Sequence, residues 1–147
     1  MNNDNVKDRE IQPFGLNAVI SVNRLLHELT VLYKLTPTLK NYGVPTKPLA
    51  VDLEKIDSDD FYIMNFIMRL THCANYVLTT LKAKHGDAFN FTIECHKDTI
   101  SNGKTFYEVS ANFFGNTIQQ YEYEYLDCLT VLVRAVRQNI EKGTFTS

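Results

Sequence analysis

The sequence predicts an α+β domain: a small antiparallel sheet of two or three strands packed against three helices, in the order α-α-β-β-(β)-α. Three observations carry that expectation. Apolar residues recur every three or four positions over residues 16–35 and 59–85, the period of a helix with one inward face. They then alternate with polar residues over 89–97 and 104–114, the period of a strand. The helical period returns over 127–142. The chain has 147 residues, the size of one domain, and can bury a core without disulfide or metal staples.

Residues 1–13 are polar and end at Pro13, so they read as a flexible tail, with 144–147 as a second one and 14–143 as a single globular domain. In the first helix Val22, Leu25, Leu26, Leu29, Leu32 and Leu35 share one face, while Asn17, Arg24, Glu28 and Lys34 fall largely elsewhere. Thr36-Pro37 ends it, because a residue before proline avoids the helical region. Residues 36–57 contain Pro37, Gly43, Pro45 and Pro48, which exclude a long helix or a central strand. Their apolar Val44, Leu49, Val51, Leu53 and Ile56 need cover, so the segment reads as an irregular arm packed on the body.

The second helix is announced by Asp57-Ser58-Asp59-Asp60, an N-cap with acidic charge for the positive end of the dipole, and stopped by Gly86 after Lys82, Lys84 and His85. Phe61, Met64, Ile67, Met68, Cys73, Tyr76, Val77 and Leu81 leave little of its surface polar, which marks a central or oligomeric helix. In the first strand Phe89, Phe91, Ile93 and Cys95 alternate with Asn90, Thr92, Glu94 and His96. In the second, Tyr107, Val109, Ala111 and Phe113 alternate with Phe106, Glu108, Ser110 and Asn112. Gly115-Asn116 reads as a two-residue hairpin turn. Tyr121, Tyr123 and Tyr125, at period two, then favour a third strand over 117–125 rather than a helix. A last helix runs from an N-cap at Asp127 to Lys142, with Leu129, Leu132, Val133, Val136 and Ile140 as its stripe and Gly143 as its stop.

Composition narrows the function. Hydrophobic residues make up 44% and charged residues 22%, ordinary globular values that exclude a disordered chain or a coiled-coil rod. A net charge of −2 lacks the basic footprint of a non-specific nucleic-acid binder. The first ten residues carry no apolar export core, and the apolar stretch Phe61 to Leu81 is interrupted by Asn65, Arg69, His72, Asn75 and Thr79. The expectation is a cytoplasmic protein with no membrane segment. Cys73, Cys95 and Cys128, with no CxxC spacing, read as buried thiols in a reducing compartment. Richness in Asn, Ile, Phe, Tyr and Lys fits an AT-rich coding sequence of phage or mobile-element type.

No motif carries catalysis. The glycines form neither GxGxxG nor GxxxxGKS. His72-Cys73 and Cys95-His96 are poor metal pairs, because adjacent helix or strand residues point apart and each pair offers one ligand easily. No metal, no cofactor and no catalytic residue is expected. Glu122 and Glu124 would share one strand face as solvated carboxylates.

Helix, three strands and helix over residues 58–142 resembles the topology of double-stranded RNA-binding domains, in element order only. That family opens its last helix with a phosphate-gripping lysine cluster. Here the region reads Tyr125-Leu126-Asp127-Cys128-Leu129 after Glu122 and Glu124, acids that repel phosphate, so nucleic acid is not the expected partner.

Two function classes remain. One is a macromolecule-binding protein — an inhibitor, adaptor or assembly factor acting through protein–protein contacts — and itself a homodimer through Phe61, Met64, Met68 or the leucines of the first helix. The other is a small-molecule, nucleotide-like binding or sequestering protein with a pocket between helices and sheet, where Arg69, His72, Tyr76 and Tyr107 supply polar groups.

Overall fold

The computed structural model describes residues 16–36, 60–98 and 103–145. The tails, the arm after Thr36 and the capping sequence before Asp60 lie outside those residues. The elements are α1 (Leu16–Leu35), α2 (Asp60–His85), a short 3-10 turn (Gly86–Ala88), β1 (Phe89–Asp98), β2 (Lys104–Phe113), β3 (Asn116–Glu122) and α3 (Tyr125–Glu141). The α+β class and the third strand are thus present. The strands form one antiparallel sheet in the order β1-β2-β3, with Ile93 opposite Val109 and Ala111 opposite Ile118.

The helix expected at the centre is not the one found there. α2 buries Ile63, Phe66, Leu70, Cys73, Ala74, Val77, Leu78 and Leu81 at helical spacing. Met64, Asn65, Met68, Arg69, His72, Asn75 and Thr79 are exposed, so α2 is amphipathic rather than apolar all round. The central helix is α3. It packs on α1 and on β2, with further contacts to α2 and β3. Ten of its 17 residues are buried, including Cys128, Val131 and Ala135, which lie off its main stripe. A helix enclosed between a helical layer and a sheet needs apolar or small residues on both sides.

Three local corrections follow from register. The hairpin turn is Phe114-Gly115, not Gly115-Asn116, since Phe113 pairs with Asn116. Both turn residues have positive φ, 56° and 90°, as a type I′ hairpin turn demands. Phe114 accepts a backbone that bulky residues avoid because its ring stacks on Phe145 at 4.6 Å, meets His85 edge-on at 5.1 Å, and its N–H donates to Ala88 O at 2.7 Å. Secondly, the tyrosine alternation spans three conformations: Tyr121 lies in β3, Tyr123 in a bend and Tyr125 in the first turn of α3. Glu122 and Glu124 therefore do not share a strand face. Thirdly, extended Glu124, not Asp127, is the N-cap of α3, its carbonyl accepting from Cys128 N–H at 3.3 Å.

The core gathers Val19, Val22, Leu25, Leu29 and Leu32 of α1, the α2 stripe, the α3 residues and the inner face of the sheet. Cross-strand partners Phe89 and Phe113 stack at 4.2 Å and close one end. Along β1 burial declines from Phe89 through half-buried Phe91 and Ile93 to exposed Cys95. The far end of β1 runs past the helical layer, so Cys95 keeps the apolar-face parity but not the burial expected of it. Leu35, placed on the α1 stripe from sequence, is exposed as well.

Candidate functional site

Glu28 is the most informative polar residue of the fold. It stands three positions after Leu25 and four before Leu32, so it borders the apolar stripe of α1 and is carried into the seam with α3. Only 3% of its side chain remains exposed, against the expectation that it would lie off that face. A carboxylate so desolvated needs charged partners. α3 supplies two, one turn apart. Arg134 Nε donates to Glu28 Oε2 at 3.0 Å, and Arg137 donates through Nε to Oε1 at 3.0 Å and through a terminal nitrogen to Oε2 at 3.3 Å. Arg137 also pairs with Glu141 one turn on. The hydrogen bond to Glu28 is the chief cause that raises the Arg137 pKa above its ordinary value.

Above this cluster lies a cleft of about 520 Å³ lined by Ile20, Asn23, Arg24, His27, Glu28, Arg134 and Arg137. The α1 residues among them follow the spacing 20, 23, 24, 27 and 28, one face of the helix running from solvent into the seam with α3. Three guanidinium groups and an imidazole thus line the cleft with a single buried carboxylate, a cationic surplus on a chain of net charge −2. The donors are not equally committed. Arg137 is turned to Glu28 and Glu141. Arg134, 44% exposed, gives Glu28 only its Nε, leaving its terminal nitrogens toward solvent. Arg24 is exposed, with no ion pair among the described residues. Arg134 and Arg24 therefore both leave guanidinium donors uncommitted beside the cleft, and guanidinium is the group suited to phosphate or carboxylate oxygens. None of these residues was singled out from sequence as a site. The available signals were a glutamate at the stripe's border and arginines at i and i+3 on α3; their meeting is long-range and not periodic.

The residues singled out from sequence fall in two places: Arg69 and Tyr76 of α2 near Cys73 and Tyr33, and Tyr107 on the sheet. Burial pushes the Cys73 thiol pKa up, and Arg69 beside it on α2 offsets part of that rise. Tyr33 of α1 approaches Cys73 and Tyr76, and burial, before either neighbour, pushes its hydroxyl up to about 12. His72 is exposed on the outer side of α2. Tyr107 lies elsewhere, on the inner face of β2, its ring meeting Tyr125 edge-on at 5.9 Å. Met64 and Met68 are exposed, 38% and 64%, while Phe61 lies where α2 side chains fall outside the described residues. Cys73 and Cys128 are buried; burial pushes the Cys128 thiol up to about 12.

Comparison with protein-family models, with curated proteins and with solved structures finds no match to this chain.

Proposed function

We propose that the chain is a binding protein whose ligand presents a compact anionic group, a phosphate or a carboxylate, to the cleft between α1 and α3. Of the two function classes the sequence leaves open, this is the small-molecule one, at a cleft between two helices. One observation carries the reading: buried Glu28 fixes Arg134 and Arg137 beside a cleft in which Arg134's terminal nitrogens and Arg24 remain available. Fixing a guanidinium in advance removes much of the ordering cost of binding. The cleft volume lies within the ~300–1,000 Å³ usual for small ligands. No Phe, Tyr or Trp lines it, so the recognised chemistry is the charged group rather than a base.

The test is calorimetric titration of the full chain with inorganic phosphate and pyrophosphate at low ionic strength, repeated with Arg24→Ala. Arg24 takes no part in the Glu28 cluster, so the variant keeps the fold. Saturable binding of one anion per chain, at least tenfold weaker in the variant and weakened by salt, is the expected result. No heat at about 10 mM ligand, or equal binding by both proteins, overturns the reading.

A second reading keeps the macromolecule-binding class. Met64 and Met68 stand one turn apart on the outward side of α2, Met68 64% exposed, and methionine is favoured at adaptable protein-contact surfaces. The partner proposed is a second copy of this chain. A dimeric mass by light scattering at about 50 μM, reduced to monomer by Met68→Glu, is its expected outcome, and a monomeric wild type refutes it.

A further inference from the structure

The outer face of the sheet carries a grouping that the cleft does not use. Glu94 and His96 are two residues apart on β1, so they share that face. Register places Glu108 of β2 directly opposite Glu94 and diagonal to His96. The His96 Nε2 atom lies 3.0 Å from Glu108 Oε1 and 3.6 Å from Glu94 Oε2, and the three ligand-type atoms fall within 4.8 Å of one another. The His96 ring stacks on its cross-strand partner Phe106 at 5.3 Å, which holds its plane. Gln119 of β3 donates to Glu108 Oε2, leaving Oε1 for His96 or an ion.

We propose that Glu94, His96 and Glu108 form a binding site for one divalent transition-metal ion of the zinc type. Two arguments carry it. The first is dimensional. Zinc bonds to nitrogen and oxygen of ~2.0–2.2 Å set the edge of a tetrahedron at ~3.3–3.5 Å; the two nitrogen–oxygen edges, 3.0 and 3.6 Å, bracket that value, and the oxygen–oxygen edge lies within 4.8 Å. The second is electrostatic. Two carboxylates directly opposed on neighbouring strands repel, and the only described basic group within ion-pair distance of either is the His96 imidazole itself. A dication bound between them turns that repulsion into attraction. Two carboxylates and one imidazole suit zinc and neighbouring metals. They leave a fourth position open to water, and Gln119 supports a ligand from the second layer. The spacing argument made from sequence concerned His72-Cys73 with Cys95-His96. Here His96 pairs instead with carboxylates, and Cys95 points to the opposite face of the strand.

The test is titration of the metal-free full chain with Zn²⁺ and with Co²⁺, followed by calorimetry and by the visible absorption of Co²⁺. Wild type, His96→Ala, Glu108→Gln and Cys95→Ser are compared, the last because an exposed thiol captures zinc on its own. All three positions are at least partly solvent-accessible, and an unchanged urea midpoint without metal confirms the fold of each variant; if His96→Ala does not fold, Glu94→Gln takes its place. The expected result is one ion per chain, at least tenfold weaker with His96→Ala and with Glu108→Gln and unchanged with Cys95→Ser. Binding lost with Cys95→Ser, binding indifferent to the His96 and Glu108 changes, or no binding at about 1 mM metal overturns the proposal.

Discussion

Glu28→Gln and Arg137→Ala test whether the seam between α1 and α3 is organised by a buried charge. Glu28 is 3% exposed, whereas Arg137 is 20% and Arg134 44% exposed. The two changes are therefore unequal. Glu28→Gln removes the negative charge but keeps an acceptor oxygen, and both arginines can turn partly to water. The loss is the difference between charged and neutral hydrogen bonds, about 1–2 kcal/mol. Arg137→Ala removes two of the three hydrogen bonds to Glu28 and strands a carboxylate that water does not reach. Breaking a buried pair from one side costs about 3–5 kcal/mol, and the remaining bond from Arg134 places this case near 3 kcal/mol. Urea denaturation at constant m reads both changes as shifts in midpoint. Thermal midpoints should fall by roughly 2–4 °C per kcal/mol for a chain of this length. The double variant should lose less than the sum by about 1 kcal/mol or more, because without Glu28 the arginine has little left to satisfy. If Arg137→Ala costs no more than Glu28→Gln, the carboxylate is hydrated and the explanation of the cluster is wrong.

Three further outcomes are expected. A thiol reagent under native conditions should label Cys95 fast and leave Cys73 and Cys128 until unfolding, since only Cys95 is exposed; mass spectrometry of the labelled chain reads this, and early labelling of Cys128 would contradict its burial. Stability should decline at alkaline pH. The folded state holds the Cys128 thiol near 12 rather than its ordinary 9, so its stabilisation is full below about pH 9 and is lost as pH rises toward 12, at about 1.4 kcal/mol per pH unit. Cys128→Ala should flatten the stability–pH curve above pH 9, and an unchanged slope counts against the assignment. Finally, Gly115→Ala should cost about 1–2 kcal/mol through φ of +90° alone, because a Cβ there meets nothing within 4 Å; a neutral result by urea denaturation would argue against the type I′ turn.

What the sequence determined by itself is the set of elements. Periodicity is a local property, and it places α1 at 16–35, the two long strands within a residue of their ends, and the stops at Gly86 and Gly143, both with positive φ. Composition and the absence of a sustained apolar run agree with a structure in which no described helix is long and apolar enough to cross a membrane. Tertiary structure decided what each face meets. α2 is apolar in content, yet its Met64 and Met68 face outward, because α1, α3 and β1 cover one side of it and the middle of the fold belongs to α3. A glutamate read as part of a polar face is the least exposed charge described, because two arginines 106 and 109 positions away meet it. Glu94 and Glu108 look like ordinary solvent-facing residues until register sets them opposite each other with His96 on the diagonal. Spacing along the chain fixes which side chains share a face. Which faces meet depends on contacts between residues far apart in sequence, and those are settled only when the layers pack.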